Sequence, residues 1–325
     1  MDTYKIVKYD SNHFSIWNDF VSVSKNATFL FYRDFMEYHQ DRFEDYSLLI
    51  YRKNKLVALL PANIKESKIY SHQGLSYGGL ILPKDIKLDV VLEIFKTLLT
   101  YLHTCEIRNL ILKQIPSIYN KIFTEEIQYL MFILRAELFR RDVLSVIDLR
   151  KCVNFSKSRL EGLKRGQRHK LKIEETNKFN DFWNNILIPN LENKHNSSPV
   201  HSLKEITLLK KYFPNNIRQF NVYHNNKIVA GATIFETESV AHCQYISGNN
   251  DNNILGSLDF LHAYLIRQVF KNKEYFDFGT SNKNNGKNIN RGLQFWKEGF
   301  GARTITQDYY NILTENYKTL NKVMI

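Results

Sequence analysis

Ile217-Arg218-Gln219-Phe220-Asn221-Val222-Tyr223-His224-Asn225-Asn226-Lys227-Ile228-Val229-Ala230-Gly231-Ala232-Thr233-Ile234-Phe235 is the stretch that decides the fold. Residues 217–223 and 228–235 are strand-like, and His224-Asn225-Asn226-Lys227 between them is a turn, so the stretch reads as a hairpin. Residues 240–247 add a third strand. A polar, glycine-bounded connection follows, Gly248-Asn249-Asn250-Asp251-Asn252-Asn253-Ile254-Leu255-Gly256, and then an amphipathic helix over 257–270. A short strand at 275–278, a loop at 279–287, a helix at 290–298 and a last strand at 303–310 complete the half. Three antiparallel strands followed by helix, strand, helix and strand make an α+β unit in which a helix leaves a splayed sheet.

Upstream, residues 155–171 read as a basic helix and 180–192 as another. A third helix starts after Ser202, with Glu205 as a capping-box partner. The N-terminal half has a similar order. Residues 4–43 are mostly helical in pattern, notably 29–39. Residues 47–52 and 56–63 form a hairpin about Lys53-Asn54-Lys55. Ser71-His72-Gln73-Gly74-Leu75-Ser76-Tyr77-Gly78-Gly79 is rich enough in glycine to line a pocket. A helix over 88–105 follows, with strands near 109–114 and 144–148. The expected organisation is two tandem units, residues 1–150 and 151–325, with the boundary near 149–156.

The 325 residues, 43% hydrophobic and 24% charged, suit a folded protein of two domains. No signal peptide precedes Asp10 and no apolar run approaches a membrane span, so a cytoplasmic protein without stable membrane insertion is expected. Cys105, Cys152 and Cys243 are too scattered for a disulfide framework or a paired-cysteine zinc motif. More than half of the formal charge of +12 falls between Lys151 and Lys172, where eight cations face Glu161 alone. That segment reads as a solvated surface or as a contact for a phosphate-bearing small ligand, with RNA or DNA not expected as a partner. No His-x-x-x-His pair, Walker sequence or Gly-x-Ser-x-Gly occurs, which sets aside nucleotide and serine hydrolysis; no metal is expected.

Tyr275-Phe276-Asp277-Phe278-Gly279-Thr280-Ser281 and Gly292-Leu293-Gln294-Phe295-Trp296-Lys297-Glu298-Gly299-Phe300-Gly301-Ala302 resemble the paired signature of Fem-like proteins, a branch of the Gcn5-related acyltransferase superfamily. Their pattern is a strand ending in Asp-Phe-Gly-x-Ser and a helix ending in Phe-Lys-x-x-Phe-Gly. His195, Pro199, Phe213 and Pro214 stand where that group has a histidine, a proline and a Phe-Pro, and Tyr77-Gly78-Gly79 resembles the Tyr-Gly-Gly of its first domain. The resemblance implies an α+β fold of two tandem acyltransferase-like domains, each a mixed sheet flanked by helices, with the coenzyme A site in the second. The group includes peptidoglycan bridge enzymes that take aminoacyl-tRNA, often with a helical-hairpin insertion for which this chain has no room. It also includes coenzyme A dependent enzymes that acylate amino sugars on nucleotide carriers. The chain looks most like dTDP-3-amino-3,6-dideoxyhexose N-acyltransferases of surface polysaccharide pathways such as O-antigen and lipopolysaccharide biosynthesis. It departs from the acetyltransferase loop Gln/Arg-x-x-Gly-x-Gly/Ala, in whose place stand Gly248 and Gly256.

The implied chemistry is direct attack of a neutral amine on a thioester, helped by positioning and preorganised donors. Acyl-coenzyme A would be the donor and a nucleotide-linked amino sugar the partner, with a homodimer left open. Anion binding at the helix near residue 257 implicates Gly248, Asn252, Asn253, Gly256 and Ser257, an ordinary glycine-flanked cap being the alternative. Asp277 reads as a carboxylate tying down its loop or as a substrate contact or proton acceptor. Ser281 could donate to the carbonyl or sugar and Lys283 reach a phosphate. For acid-base work histidine comes first, which brings in His195, with His72 and His201 as substrate contacts, a hydrogen-bonded surface or structural histidine being the alternative for each. Asp259 reads as a base or as a first-turn carboxylate. Tyr77 and Gly78 are expected at a sugar, nucleobase or carrier phosphate, with loop packing as the alternative. Lys297 reads as a site residue or as a lysine snorkelling over aromatic core.

Overall fold

The computed structural model describes residues 4–325, apart from the side chains of Lys194 and His195. By packing the chain divides into two units. One comprises the chain up to Asp142 together with Thr306–Ile325, and the other is Val143–Ile305. The sequence places a boundary after residue 150 and the last strand in the second half; in the fold the division falls inside strands, and the last twenty residues pack with the first unit.

Unit 1 contains β1 (Tyr4–Lys8), α1 (Phe14–Val23), α2 (Arg33–Met36), β2 (Glu44–Asp45), β3 (Leu48–Arg52), β4 (Lys55–Leu60), β5 (Asn63–Lys65), β6 (Lys68–Tyr70), α3 (Leu88–Thr104), β7 (Asn109–Lys113), α4 (Glu126–Ile133) and the start of β8 (Glu137–Asp148). The expected first hairpin is present. Lys53 and Asn54 take positive φ in a two-residue turn, the geometry whose twist matches a hairpin. Residues 4–8, expected to be helical, instead form an edge strand in register with β3, Ile6 opposite Ile50. The alternation of Tyr4, Ile6 and Lys8 suits a pleated edge better than a helix face. Strand order is β1-β3-β4 in one sheet, and β2-β5-β6-β7 continuing to the C-terminal strand in a second ladder. α3 buries Val91, Leu92, Ile94, Phe95, Leu98, Leu99 and Leu102 against this core, each worth about 1.5–3 kcal/mol relative to exposure.

Unit 2 contains α5 (Lys157–Arg168), β9 (Lys172–Thr176), α6 (Asn180–Phe182), α7 (Ile188–His195), α8 (Leu203–Tyr212), β10 (Ile217–His224), β11 (Lys227–Glu236), β12 (Val240–Gly248), α9 (Asn252–Leu255), α10 (Ser257–Tyr264), β13 (Tyr275–Thr280), β14 (Asn282–Lys283), β15 (Asn288–Ile289), α11 (Arg291–Glu298) and the start of β16 (Arg303–Leu313), whose end belongs to unit 1. Its sheet runs β9-β10-β11-β12-β13-β8, antiparallel except for β12 and β13. Those two are parallel because α10 carries the chain back across the sheet. This is the mixed sheet flanked by helices expected of an acyltransferase-like domain. Unit 1, with its strands in two separate sets, is not a copy of it, and β8 and β16 each carry residues of both units.

The turn at Asn225 and Asn226 takes positive φ at both positions, as the first hairpin does. The Ser202/Glu205 capping box closes in both directions. The helix expected over 180–192 holds a π-turn at Trp183–Leu187, just ahead of Pro189. Proline has no N–H to return to the preceding turn, and the wider turn accommodates the gap. β9 escaped the sequence pattern because its Lys-Ile-Glu-Glu-Thr is polar on both faces, as an exposed edge strand can be. Among the described residues, no helix is long and apolar enough to cross a membrane.

Candidate functional site

β12 and β13 pair for three residues only: Val240 with Tyr275, Ala241 with Phe276 and His242 with Asp277. Beyond that rung β12 remains paired to β11 as far as Gly248, while β13 keeps β8 on its other side. The edge of β12 from Cys243 to Gly248 therefore has no strand partner among the described residues. At the strand rise of about 3.3 Å per residue it is roughly 20 Å long. A bulge at Gln244, where the β11 register shifts between Thr233 and Ile234, twists the strand just past the fork.

A cavity of about 410 Å³ wraps the far end of this free edge. Its wall takes Leu187, Asn190 and Leu191 from one side, where Asn190 Nδ2 donates to Ser247 Oγ at 2.7 Å and to the Gly248 carbonyl at 2.6 Å. Ile246 of β12, Leu258 and Leu293 also line it, with Ile246 and Leu258 packed on the core. A second cavity of about 290 Å³ is lined by Arg159, Arg165, Asn252, Asn253, Asp259, Gly292, Phe295 and Trp296. Asn252 and Asn253 line both. Arg159 is paired through Nη1 with Asp259, while the Nε atoms of Arg159 and Arg165 are buried with no hydrogen-bond partner among the described residues. A phosphate group fits such a donor set.

Of the five residues expected at an anion site, Gly248, Asn252 and Asn253 line a cavity; Gly256 and Ser257 line neither. Ser257 is fully enclosed, and its hydroxyl donates to Asn252 Oδ1 at 2.9 Å. The Leu258 N–H donates to the same oxygen at 3.0 Å, so the Asn252 side chain caps α10 where a pyrophosphate was expected. Gly256 has φ +66°, and a Cβ there would lie 2.2 Å from the Gly162 carbonyl oxygen. It permits α5 to approach, which is why glycine is required.

At the fork, Asp277 is 1% exposed and engaged at both carboxylate oxygens. His242 Nδ1 lies 2.9 Å from Oδ2, and the Gly279 N–H donates to Oδ1 at 2.7 Å. Lys297, from α11, does not snorkel. It is buried and donates to the carbonyls of Gly279 at 3.0 Å and Thr280 at 2.8 Å. Burial draws its ammonium down to about 8, against the opposing fields of Asp277 and Cys243. Cys243 is pushed well up by burial, which keeps it a thiol and unsuited to nucleophilic work. Ser281 is buried too; its Oγ has no hydrogen-bond partner among the described residues, while its carbonyl accepts the Asn290 N–H at 2.8 Å.

The remaining expected residues scatter. Asp259 ties three helices together: Arg159 Nη1 lies 2.6 Å and Trp296 Nε1 2.8 Å from its Oδ1. Burial raises its carboxyl, and Arg159, Trp296 and Arg165 oppose the rise. With its oxygen so engaged it serves the helix packing rather than a travelling proton. His201 is buried and bonded through Nδ1 to the Tyr245 hydroxyl at 2.6 Å. Lys283 stands exposed on the β14–β15 hairpin. His195 ends α7, and its side chain lies outside the described residues.

In unit 1, His72 is enclosed beside His39, and burial lowers its ring to about 3. Tyr77 is 4% exposed, with its hydroxyl 3.0 Å from Thr28 Oγ1. A Cβ on Gly78 would lie 1.8 Å from the Ser71 carbonyl oxygen. The void beside Gly78 and Gly79 measures only about 20 Å³, so the glycines there serve close backbone packing. His242, Arg159, Arg165 and Asn190 were not singled out individually from the sequence. An ionisable side chain within the apolar strand 240–247 was the available signal for His242.

The mixed α+β fold is similar to that of several Gcn5-related and Fem-like structures. The sequence itself matches no protein-family model and no curated protein. Among solved structures, FemX matches over 98% of this chain and 99% of its own, with 9% identity and a TM-score of 0.64. L-PGS from Bacillus licheniformis matches over 83% and 84%, at 12% identity and a TM-score of 0.56. A tandem GNAT protein from the clavulanic acid biosynthesis pathway, solved without AcCoA, matches over 96% and 99%, at 9% identity and a TM-score of 0.50. At these identities the likeness is one of fold.

Proposed function

We propose that unit 2 transfers an acyl group from an acyl-coenzyme A to an amine, and that the amine is carried by a dTDP-linked 3-amino-3,6-dideoxyhexose. The observation that carries the first part is the parting of β12 from β13, with a cavity wrapping the free edge. A free strand edge offers main-chain donors and acceptors to an extended amide-bearing chain such as a pantetheine arm. Arg159, Arg165, Asn252 and Asn253 would meet its phosphates at the far end. The thioester would then lie toward the fork, among His242, Asp277, Ser281 and Lys297. There the unpartnered Ser281 Oγ is a donor for the acyl carbonyl or a sugar hydroxyl.

The sugar and its carrier rest on the sequence resemblance, with exposed Lys283 offered to the carrier phosphates. The test is release of free coenzyme A thiol from short acyl-coenzyme A donors, with and without a panel of dTDP-amino sugars. Release is expected only when both are present, and its absence across the panel would overturn the proposal. The alternative, which also rests on the sequence resemblance, is aminoacyl transfer from charged tRNA to a cell-wall precursor. Movement of a labelled amino acid from tRNA, with no thiol release, would select it.

A further inference from the structure

The Asp277–Gly279 turn does more than end a strand. Gly279 has φ +67°, the left-handed region open to glycine, and this brings its N–H back onto Asp277 Oδ1. With one carboxylate oxygen held there, the other faces His242 Nδ1 at 2.9 Å across the last rung of the parallel ladder. A carboxylate accepts, so Nδ1 carries the hydrogen, and in the neutral ring Nε2 is then the acceptor. His242 Cε1 lies against Gly279, where a Cβ would come within 3.3 Å. The ring is thus held through Nδ1 with Gly279 beside it, while the side chain remains 20% exposed. It sits one residue short of the point where the free edge of β12 begins. Elsewhere in unit 2, His262 is wholly enclosed, and His201 is buried and bonded to the Tyr245 hydroxyl.

We propose that His242 is the proton acceptor of the reaction, with Asp277 as its positioning residue; this rests on the acyl-transfer reading above. The amine nitrogen forms a bond to the thioester carbonyl carbon while an amine proton passes to Nε2. The carbon–sulfur bond then breaks with its electron pair on sulfur, and the proton on Nε2 goes to that sulfur directly or through water. Amine and thioester become amide and thiol, with nothing oxidised or reduced. The charged and titratable groups around the ring are Asp277 from β13, Lys297 from α11 beside Asp277, and Cys243 on β12 itself; Phe235, opposite on β11, is apolar.

The experiment uses the full chain with acetyl-coenzyme A and a dTDP-3-amino-3,6-dideoxyhexose, following thiol release across pH. His242→Gln is expected to lower kcat about 10²–10⁴-fold while leaving coenzyme A affinity unchanged. It should also flatten the acid limb of the kcat/KM profile. Asp277→Asn should lower kcat but keep a displaced acid limb, which a purely structural loss would not do. Added imidazole should restore part of the turnover of His242→Ala, a result that an unfolded variant cannot give. If His242→Gln keeps most of the wild-type turnover, or keeps its acid limb, the assignment is overturned and acyl transfer stands. If the wild type binds coenzyme A yet releases no thiol with any amino sugar, both fall together.

Discussion

Lys297 brings an ammonium group to a spot that is 2% exposed, where it is held by the carbonyls of Gly279 and Thr280. Those carbonyls belong to the turn that orients Asp277, so the lysine braces the turn from below. Replacing it by methionine keeps the length of the side chain and removes the donor. Lys297→Met is expected to destabilise the fold by about 1–3 kcal/mol, measured by urea unfolding near neutral pH, because buried carbonyls are left unpaired. The pH dependence gives a second readout. The group titrates near 8 in the folded chain and at 10.5 in the unfolded one, so between these values the unfolded chain holds more protons. Stability therefore rises with pH across that window in the wild type, and this contribution should vanish in the variant.

At the scale of elements, α5 crosses α10 at positions where α5 has room for no side chain. A Cβ at Gly162 would meet Asp259 Oδ2 at 1.7 Å, and one at Gly166 would meet Phe260 Cβ at 2.5 Å. Alanine is the better helix former by about 1 kcal/mol, so an exposed glycine in α5 would gain from the change. Here overpacking wins. Gly162→Ala is expected to lower stability by about 1–3 kcal/mol and to disturb the Arg159–Asp259–Trp296 tie beside the cationic cavity. Urea unfolding checks the first effect, and weakened coenzyme A binding the second. Periodicity showed α5 as a basic helix, but not that Gly162 and Gly166 mark its contact face. In an isolated sequence these glycines read only as weak points.

Across the whole molecule, enclosed histidines make the fold sensitive to acid. His72 and His39 in unit 1 and His262 in unit 2 are all buried, and burial lowers each ring below its ordinary value, to about 3 for His72 and about 4 for His262. As pH falls below 6.5 the unfolded chain takes protons that the folded chain refuses, so stability falls on acidification. For His262 alone the loss between pH 7 and pH 5 is about 2 kcal/mol. His262→Leu should remove that share, read from urea midpoints at the two pH values.

Short-range rules made part of this fold legible in the sequence: the turns about Lys53-Asn54-Lys55 and Asn225-Asn226, the Ser202 capping box, and the order β10, β11, β12, α10, β13 and α11 in unit 2, though not the edge strand β9. Each depends on backbone preferences or side-chain periods spanning a few residues. The sequence also set out the Asp277–Gly279 motif, whose resemblance named the fold before any pairing was known. Only the tertiary structure decided that His242 would face Asp277, thirty-five positions away, that Tyr77 would be enclosed, and that the chain would divide at Asp142 and again at Ile305. Those outcomes follow from which strands become neighbours and where their pairing stops. Such neighbours are brought together by the burial of apolar surface over the whole unit, and no local window of sequence contains that sum.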